Sequence, residues 1–442
     1  MVIELKEHFT YQKLLRFTAP SVLMMIFTSV YSIADGFFVA NFAGETPFAA
    51  LNFVWPFIIL LGAIGFMFGT GGSALISKVR GEGNLKRANQ IFSLLIYTVT
   101  ALGLLLSLLG AGLVKPILTG FGLSGQFFRD STIYAYILVA AVPLFMLQFV
   151  FQELLVAAER PKLGFWITFG AGVTNVALDA LFIGVFHWGI AGAAVATLLG
   201  MFVGGIIPLL YFILPNKSPL RLGKTYFDGR VLLKICSNGM SEFVANISAS
   251  VVTILYNYQM LHFIGERGVA ALGIVSYINF MCCAVFLGYS FGSAPIISYH
   301  YGAENKIELK SLLKKSLMII AASGIIITVL TEIFTVPLVQ IFTDDDVDLQ
   351  QLTVNGFRIY ALSFLFCGFN LFSSAFFTAL NNGVVSAVIS GVRTLVLEFL
   401  CVLILPLIFG INGIWSAIIV AEMLALILTF GCILKYKKRY GY

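Results

Sequence analysis

The chain has 442 residues, of which 59% are hydrophobic, 14% aromatic and only 11% charged, with Phe alone contributing 42. An ordinary soluble domain carries roughly 45–50% apolar and 25% charged residues, and a soluble fold of this length could not hide the excess. The composition excludes a soluble enzyme, a disordered chain and a nucleic-acid-binding domain, and the net charge of +6 reads instead as basic loops on a polytopic membrane protein.

A spanning helix needs about 20 apolar residues. The first ten residues carry Glu4 and Glu7 and no short apolar run before a small-residue cleavage site, so the first long apolar segment is expected to act as its own signal. Twelve segments of spanning length follow. In the first half they are Leu14–Asn41, Phe48–Ser77, Ala88–Val114, Ser131–Ala158, Leu163–Phe186 and Ile190–Leu214. In the second half they are Leu232–Phe263, Val269–Tyr301, Leu312–Phe342, Leu352–Leu380, Val384–Ile408 and Ile411–Tyr436. The runs are too long for strands and do not alternate. The glycine-rich stretch Gly62–Gly72 lies inside the second segment with no strand before it, which points to close helix packing rather than phosphate binding.

With the N-terminus inside, 22 of the 27 Lys and Arg fall in inside loops; Lys115, Arg129, Arg267 and Arg358 lie outside, and Arg393 within a helix. The positive-inside rule then sets both termini in the cytoplasm. The one long polar stretch, residues 215–229, divides the chain into residues 1–214, with helices one to six, and 230–442, with helices seven to twelve. Around it runs an internal repeat at an offset of 221: Gly71–Ser77 faces Gly292–Ser298, Ala49–Leu51 faces Ala270–Leu272, and Gly189–Gly192 faces Gly410–Gly413. Six helices is an even number, so the two repeats enter from the same side and are expected to be parallel lobes with a site near the midplane.

Seven acids fall at membrane depth: Asp35, Glu153, Asp179, Glu242, Glu332, Glu398 and Glu422. Each costs roughly 2.5–3.5 kcal/mol if central and unpaired, so the seven together, of order 20 kcal/mol, exceed a domain's net stability of about 5–15 kcal/mol. They must face a wet cavity, sit at an interface or be paired, and Arg393 is the one intramembrane Arg. Tyr31 lies one turn before Asp35, and Asn175 lies at i−4 from Asp179, where an amide tunes a carboxylate's proton affinity. The alternatives are an interfacial acid and a polar pair gluing helices. Glu242 shares a face with Asn246, and Glu398 follows Arg393 at a spacing of five that stacks poorly on an α-helix. Gln152 and Glu153 sit near the inner end of helix four.

The other signals carry less. Thr343 and the acids Asp344, Asp345, Asp346 and Asp348 depart from a calcium loop and read as caps of helix ten. The six cysteines all lie in apolar stretches, with no metal or disulfide spacing. No catalytic motif appears, so neither an enzyme nor a cofactor is expected.

The stretches SIADGFFVA, TNVALDALFIG, PIISYHYGAEN and GINGIWSA resemble the multidrug and toxic compound extrusion (MATE) family along the whole chain. The resemblance implies an all-α protein of the cell inner membrane, a monomer with two parallel six-helix lobes. It also implies an antiporter that exports organic cations or amphipathic compounds in exchange for protons or sodium. Residue by residue, the resemblance places the coupling ion at Asp35, Asn175, Asp179 and Thr197, the substrate at Tyr31, Tyr134, Asp35 and Asp179, and a helix bend at Pro20. Metal is expected only as sodium at Asp35 and Asp179. Glu242, Asn246, Arg393 and Glu398 are the C-lobe candidates. They depart from the sodium-binding branch, because Glu242 lies about two turns early and residues 356–381 hold no carboxylate. A flippase for a lipid-linked saccharide, on the same superfold, is the alternative; it needs basic residues in the cavity.

Overall fold

The structure is a computed structural model describing residues 3–343 and 346–442; the side chain of Glu45 also lies outside the description. Among the described residues, eleven helices are long and apolar enough to span a bilayer: α1 (Tyr11–Ala43), α2 (Thr46–Gly81), α3 (Leu85–Gly120), α4 (Gly125–Ala157), α5 (Pro161–Val185), α6 (Gly189–Ile213), α7 (Gly229–Phe263), α8 (Glu266–Gly302), α9 (Lys306–Thr343), α11 (Gly383–Phe409) and α12 (Ile411–Tyr440). The twelfth, α10, is two arms, Val347–Ala361 and Phe364–Ala379, bent by 52°. Tight i→i−3 bonds make the bend, from Leu362 N to Ile359 O and from Ser363 N to Tyr360 O.

Side chains set several starts. Thr10, Asn84, Asp228 and Asn382 accept the third backbone N–H of α1, α3, α7 and α11. Ahead of α10, Asp346 accepts from Leu349 N, while Asp344 and Asp345 lie outside the described residues. Thr343, expected among these caps, instead closes α9: its hydroxyl donates to Val339 O at 3.2 Å.

The two halves use the same turns and packing pairs. Left-handed backbone occurs at Gly44 (φ 101°) and Gly265 (85°), Gly83 (82°) and Glu304 (54°), Glu159 (61°) and Asn381 (56°), and Gly189 (57°) and Gly410 (56°). In the first half α2, α3 and α6 pack on α4, and α5 packs on α1 and α6. In the second, α8, α9 and α12 pack on α10, and α11 packs on α7 and α12. The halves meet where α1 crosses α8 and α2 crosses α7 and α8.

These crossings are closest near the end that carries both termini. A Cβ on Gly81 would fall 2.0 Å from Tyr299 O, and one on Gly302 would fall 2.0 Å from Lys78 O. Gly71 and Gly239 meet Ile235 O and Met67 O at 2.1 and 1.8 Å on the same basis. Only glycine admits such backbone approach. The N-terminal segment lies over this seal with Leu5 and Phe9 fully buried. Leu5 N donates to Glu159, itself paired with Arg80 at 2.6 Å, while Phe9 N donates to Glu308 at the start of α9.

Candidate functional site: an acidic, aromatic cavity between the halves

Because the helices crowd at one end, they leave space beyond it. A cavity of about 440 Å³ opens between α1, α2, α4, α5 and α6 on one side and α7 and α8 on the other. Its wall is largely aromatic, including Tyr31, Trp55, Phe66, Phe145, Phe149, Tyr277 and Phe291. The polar groups on it are few: Asp35, Asn52, Gln148, Gln152, Asn175, Thr197, Glu242 and Asn246, with some hydroxyls. Among the described lining residues, the charges are all negative.

On the α1–α5 side the structure gathers most of the sequence candidates. Asp35 and Asn175 line the cavity, with Thr197 on α6 beside them; the Asn175 amide donates to the Thr197 hydroxyl at 3.5 Å. Asp179 lies one turn beyond Asn175 with no exposed surface, behind the lining rather than on it. Its carboxyl approaches that of Asp35. Neither Asp179 oxygen has a hydrogen-bond partner, and the same holds for Asp35 Oδ1 and the hydroxyl of Tyr134, fully buried on α4. Tyr31 faces the cavity; Tyr134 does not. Pro20 is buried in α1, which passes through it without a break.

Local backbone supports this placement. A one-turn π-helical segment, Val39–Ala43, follows Asp35, and another, Ala180–Val185, follows Asp179. Such insertions re-aim side chains and cluster at functional positions. Buried unpaired carboxylates are costly, and the cost falls when a proton or a cation joins them. No ion pair reaches Asp35, Glu153, Asp179, Glu242 or Glu398 among the described residues.

The second-half candidates separate into two places. Glu242 and Asn246 line the cavity from α7, but the Asn246 amide donates to the backbone carbonyl of Glu242, not to its carboxylate. Arg393 and Glu398 lie away from the cavity, at a third π segment, Val392–Glu398. Arg393 donates to Glu422 on α12 from Nε at 2.8 Å and Nη2 at 2.7 Å. Asn370 donates to the other Glu422 oxygen at 2.7 Å and accepts from Thr429 at 2.8 Å. Sequence reading missed Glu422 as the partner, and missed Asn370, Thr429 and Gln148 altogether. An isolated Asn or Gln in an apolar run was the available signal.

The chain is 22% identical over 425 residues to the multidrug export protein MepA of Staphylococcus aureus, covering 94% of this chain and 92% of that one. It superposes on an outward-facing multidrug resistance MATE family transporter of the MOP superfamily with a TM-score of 0.93 at 20% identity, over 98% and 97% of the two chains. A MOP superfamily transporter from Pyrococcus furiosus superposes with a TM-score of 0.91 at 20% identity, over the same shares. The MatE family model matches twice, over residues 20–181 and 243–404. The chain therefore belongs to the MatE family of transporters and is a multi-pass protein of the cell membrane.

Proposed function

We propose that this protein is a drug exporter that exchanges cationic or amphipathic compounds for protons, or for sodium, by alternating access. Residues 1–214 and 230–442 form parallel lobes joined by residues 215–229, with both termini cytoplasmic. Supporting this are the left-handed turns that recur 221 or 222 positions apart, the matching helix pairs in each half and the two family-model matches. With the cytoplasmic end sealed by the α1–α8 and α2–α8 crossings, the cavity faces outward.

The observation that carries the reading is the Asp35–Asp179 pair, enclosed with no Lys or Arg paired to it among the described residues, beside a cavity whose wall is largely aromatic. Two neighbouring carboxylates in low dielectric hold a proton or a cation between them. Asp35 and Tyr31 meet the cargo; Asn175 and Thr197 orient Asp35; Asp179 and Tyr134 act from behind the wall. Protonation neutralises the pair and releases a bound cation, and cation binding expels the proton. Exchange follows from this competition, with differential affinity shifting the conformational equilibrium. Pro20 removes a backbone hydrogen bond and gives α1 a place to bend. The saccharide flippase reading loses ground, since the described lining carries no Lys or Arg to hold pyrophosphate.

Proteoliposomes loaded with a monocationic dye test this reading, with proton and sodium gradients imposed separately. Efflux is expected under the proton gradient and is expected to vanish in Asp35→Asn and Asp179→Asn. Efflux under a sodium gradient alone that persists in Asp35→Asn would overturn the assignment.

A further inference from the structure

Asp35 is not the only carboxylate on the cavity wall. Glu242 reaches the same space from α7, on the opposite half. It stands three residues beyond Gly239, which is pressed against Met67 O in the seal, so Glu242 marks the cavity floor. Gln152 of α4 lines the same cavity, only 7% exposed, with an amide nitrogen that has no partner. Glu153, buried beside Gln152, is a further carboxyl within electrostatic reach of Glu242. The charge of Arg393 reaches Glu242, but two of its guanidinium nitrogens are already bound to Glu422.

The depth of the two acids follows from helix geometry. The Tyr31 hydroxyl on α1 approaches Gln148 on α4, so these two are level. Asp35 lies four residues outward of Tyr31, and Gln152 lies four residues inward of Gln148, because the helices run in opposite senses. At 1.5 Å rise per residue this sets Asp35 roughly 12 Å above Gln152 in depth, and Glu242, at the cavity floor, is taken at the level of Gln152. Aromatic rings, among them Tyr31, Phe66, Phe149 and Phe291, occupy the wall between them. A monocation neutralises one pole and leaves the other carboxylate desolvated and unpaired. A molecule with two cationic heads on an apolar spacer neutralises both and lays its spacer against the rings.

We propose that Glu242 is a second cationic subsite and that the preferred cargo is a dication with its charges roughly 12 Å apart. This rests on reading the cavity as a cation-export site. The test uses the purified full chain in nanodiscs, with competition binding against a fluorescent monocation. The probes are decyltrimethylammonium and the α,ω-bis(trimethylammonium) derivatives of ethane, hexane and decane. The decane dication is expected to bind at least about tenfold more tightly than its monocationic counterpart, and the ethane dication to lose that advantage. The ratio of dication to monocation affinity is expected to collapse in Glu242→Gln. Glu242→Asp keeps the charge on a shorter arm and is expected to keep a preference for long dications, so a folding defect in one variant does not decide the matter. A ratio unchanged in Glu242→Gln, or wild-type protein that binds the monocation with no gain from a second charge, overturns the second subsite. Failure of wild type to bind any of these cations overturns the export reading itself, and the subsite with it.

Discussion

In the first half of the chain, Asp35 and Asp179 approach each other with no Lys or Arg paired to either among the described residues, and three of their four oxygens are buried without a partner. In the second half, Glu422 is equally enclosed, at 1% side-chain exposure, yet it receives Arg393 on one oxygen and Asn370 on the other. The helix pairs around the two sites correspond, and a one-turn π segment adjoins each. The scaffold therefore does not determine whether a buried carboxylate is satisfied; the side chains on neighbouring helices do. On the proposed reading, an acid left unsatisfied is where a proton or a cation comes and goes. An acid clamped by arginine holds helices together.

The largest effect that sharpens this contrast is on stability. Arg393→Met leaves Glu422 buried without its cation, and breaking a buried pair from one side costs roughly 3–5 kcal/mol. Asp179→Asn removes a charge that has no partner and is expected to leave thermal stability unchanged or raised while abolishing export. Thermal unfolding in detergent, read beside dye efflux, separates the two. If both variants unfold early, or if Arg393→Met is stable and inactive, the division of roles is wrong.

That division was only partly visible in the chain. The spans and the linker follow from hydropathy, and the i, i+4 rule sets Asn175 and Asp179 on one helix face; that the Asn175 amide goes to Thr197 and leaves Asp179 without a partner was not local. The partner of Arg393 was not local. Glu422 is 29 positions away on α12, where Thr429 also lies, and Asn370 comes from the second arm of α10, while Glu398, five residues from Arg393, stacks poorly on an α-helix, so spacing alone offered no partner. The π segment Val392–Glu398 also breaks the α-helical periodicity on which that spacing was judged. Likewise, nothing in the fifth span says that Asp179 is withdrawn behind Asn175. The turn sites were legible after the fact: Gly44 and Gly265 match in type, but Gly83 faces Glu304 and Glu159 faces Asn381, so side-chain identity hides a shared backbone conformation.

A second effect probes the seam between the halves. Gly302→Ala puts a Cβ 2.0 Å from Lys78 O, and Gly81→Ala does the same to Tyr299 O. Neither neighbour is a flexible side-chain end, so the α2–α8 crossing must widen, a strain of about 1–3 kcal/mol by analogy with overpacked cores. Each substitution alone is expected to loosen this seal and raise thiol labelling of a cysteine introduced at Ser298, whose hydroxyl now donates to Ala74 O at 2.5 Å. Equal effects from the two glycines support a symmetric crossing. A response from one alone would show that the halves close unequally.

The smallest effect concerns the linker, which joins the halves yet packs along α3 of the first. Arg221 N donates to Asn89, Gly223 N donates to Ser93, and the Thr225 hydroxyl donates to Gln90 O. Asp228 does two things at its end. One carboxyl oxygen caps α7 through Val231 N at 3.2 Å, and the other meets Arg87 of α3 at 2.6 Å. The Arg87 guanidinium holds this carboxyl below its ordinary range. A depressed value means that the stabilising interaction is fully present above the usual aspartate range, near pH 4, and is lost as pH falls through the lower folded value. Asn is also a good cap, so Asp228→Asn removes the charge and keeps the cap, whereas Asp228→Ala removes both. The pair is solvent-facing, so the change is small, and it should appear as modestly faster amide exchange at Arg221 and Gly223. Asp228→Ala adds faster exchange at Val231. If Asp228→Asn alone also frees Val231, the charge and not the cap geometry starts α7, and the linker couples the two halves electrostatically.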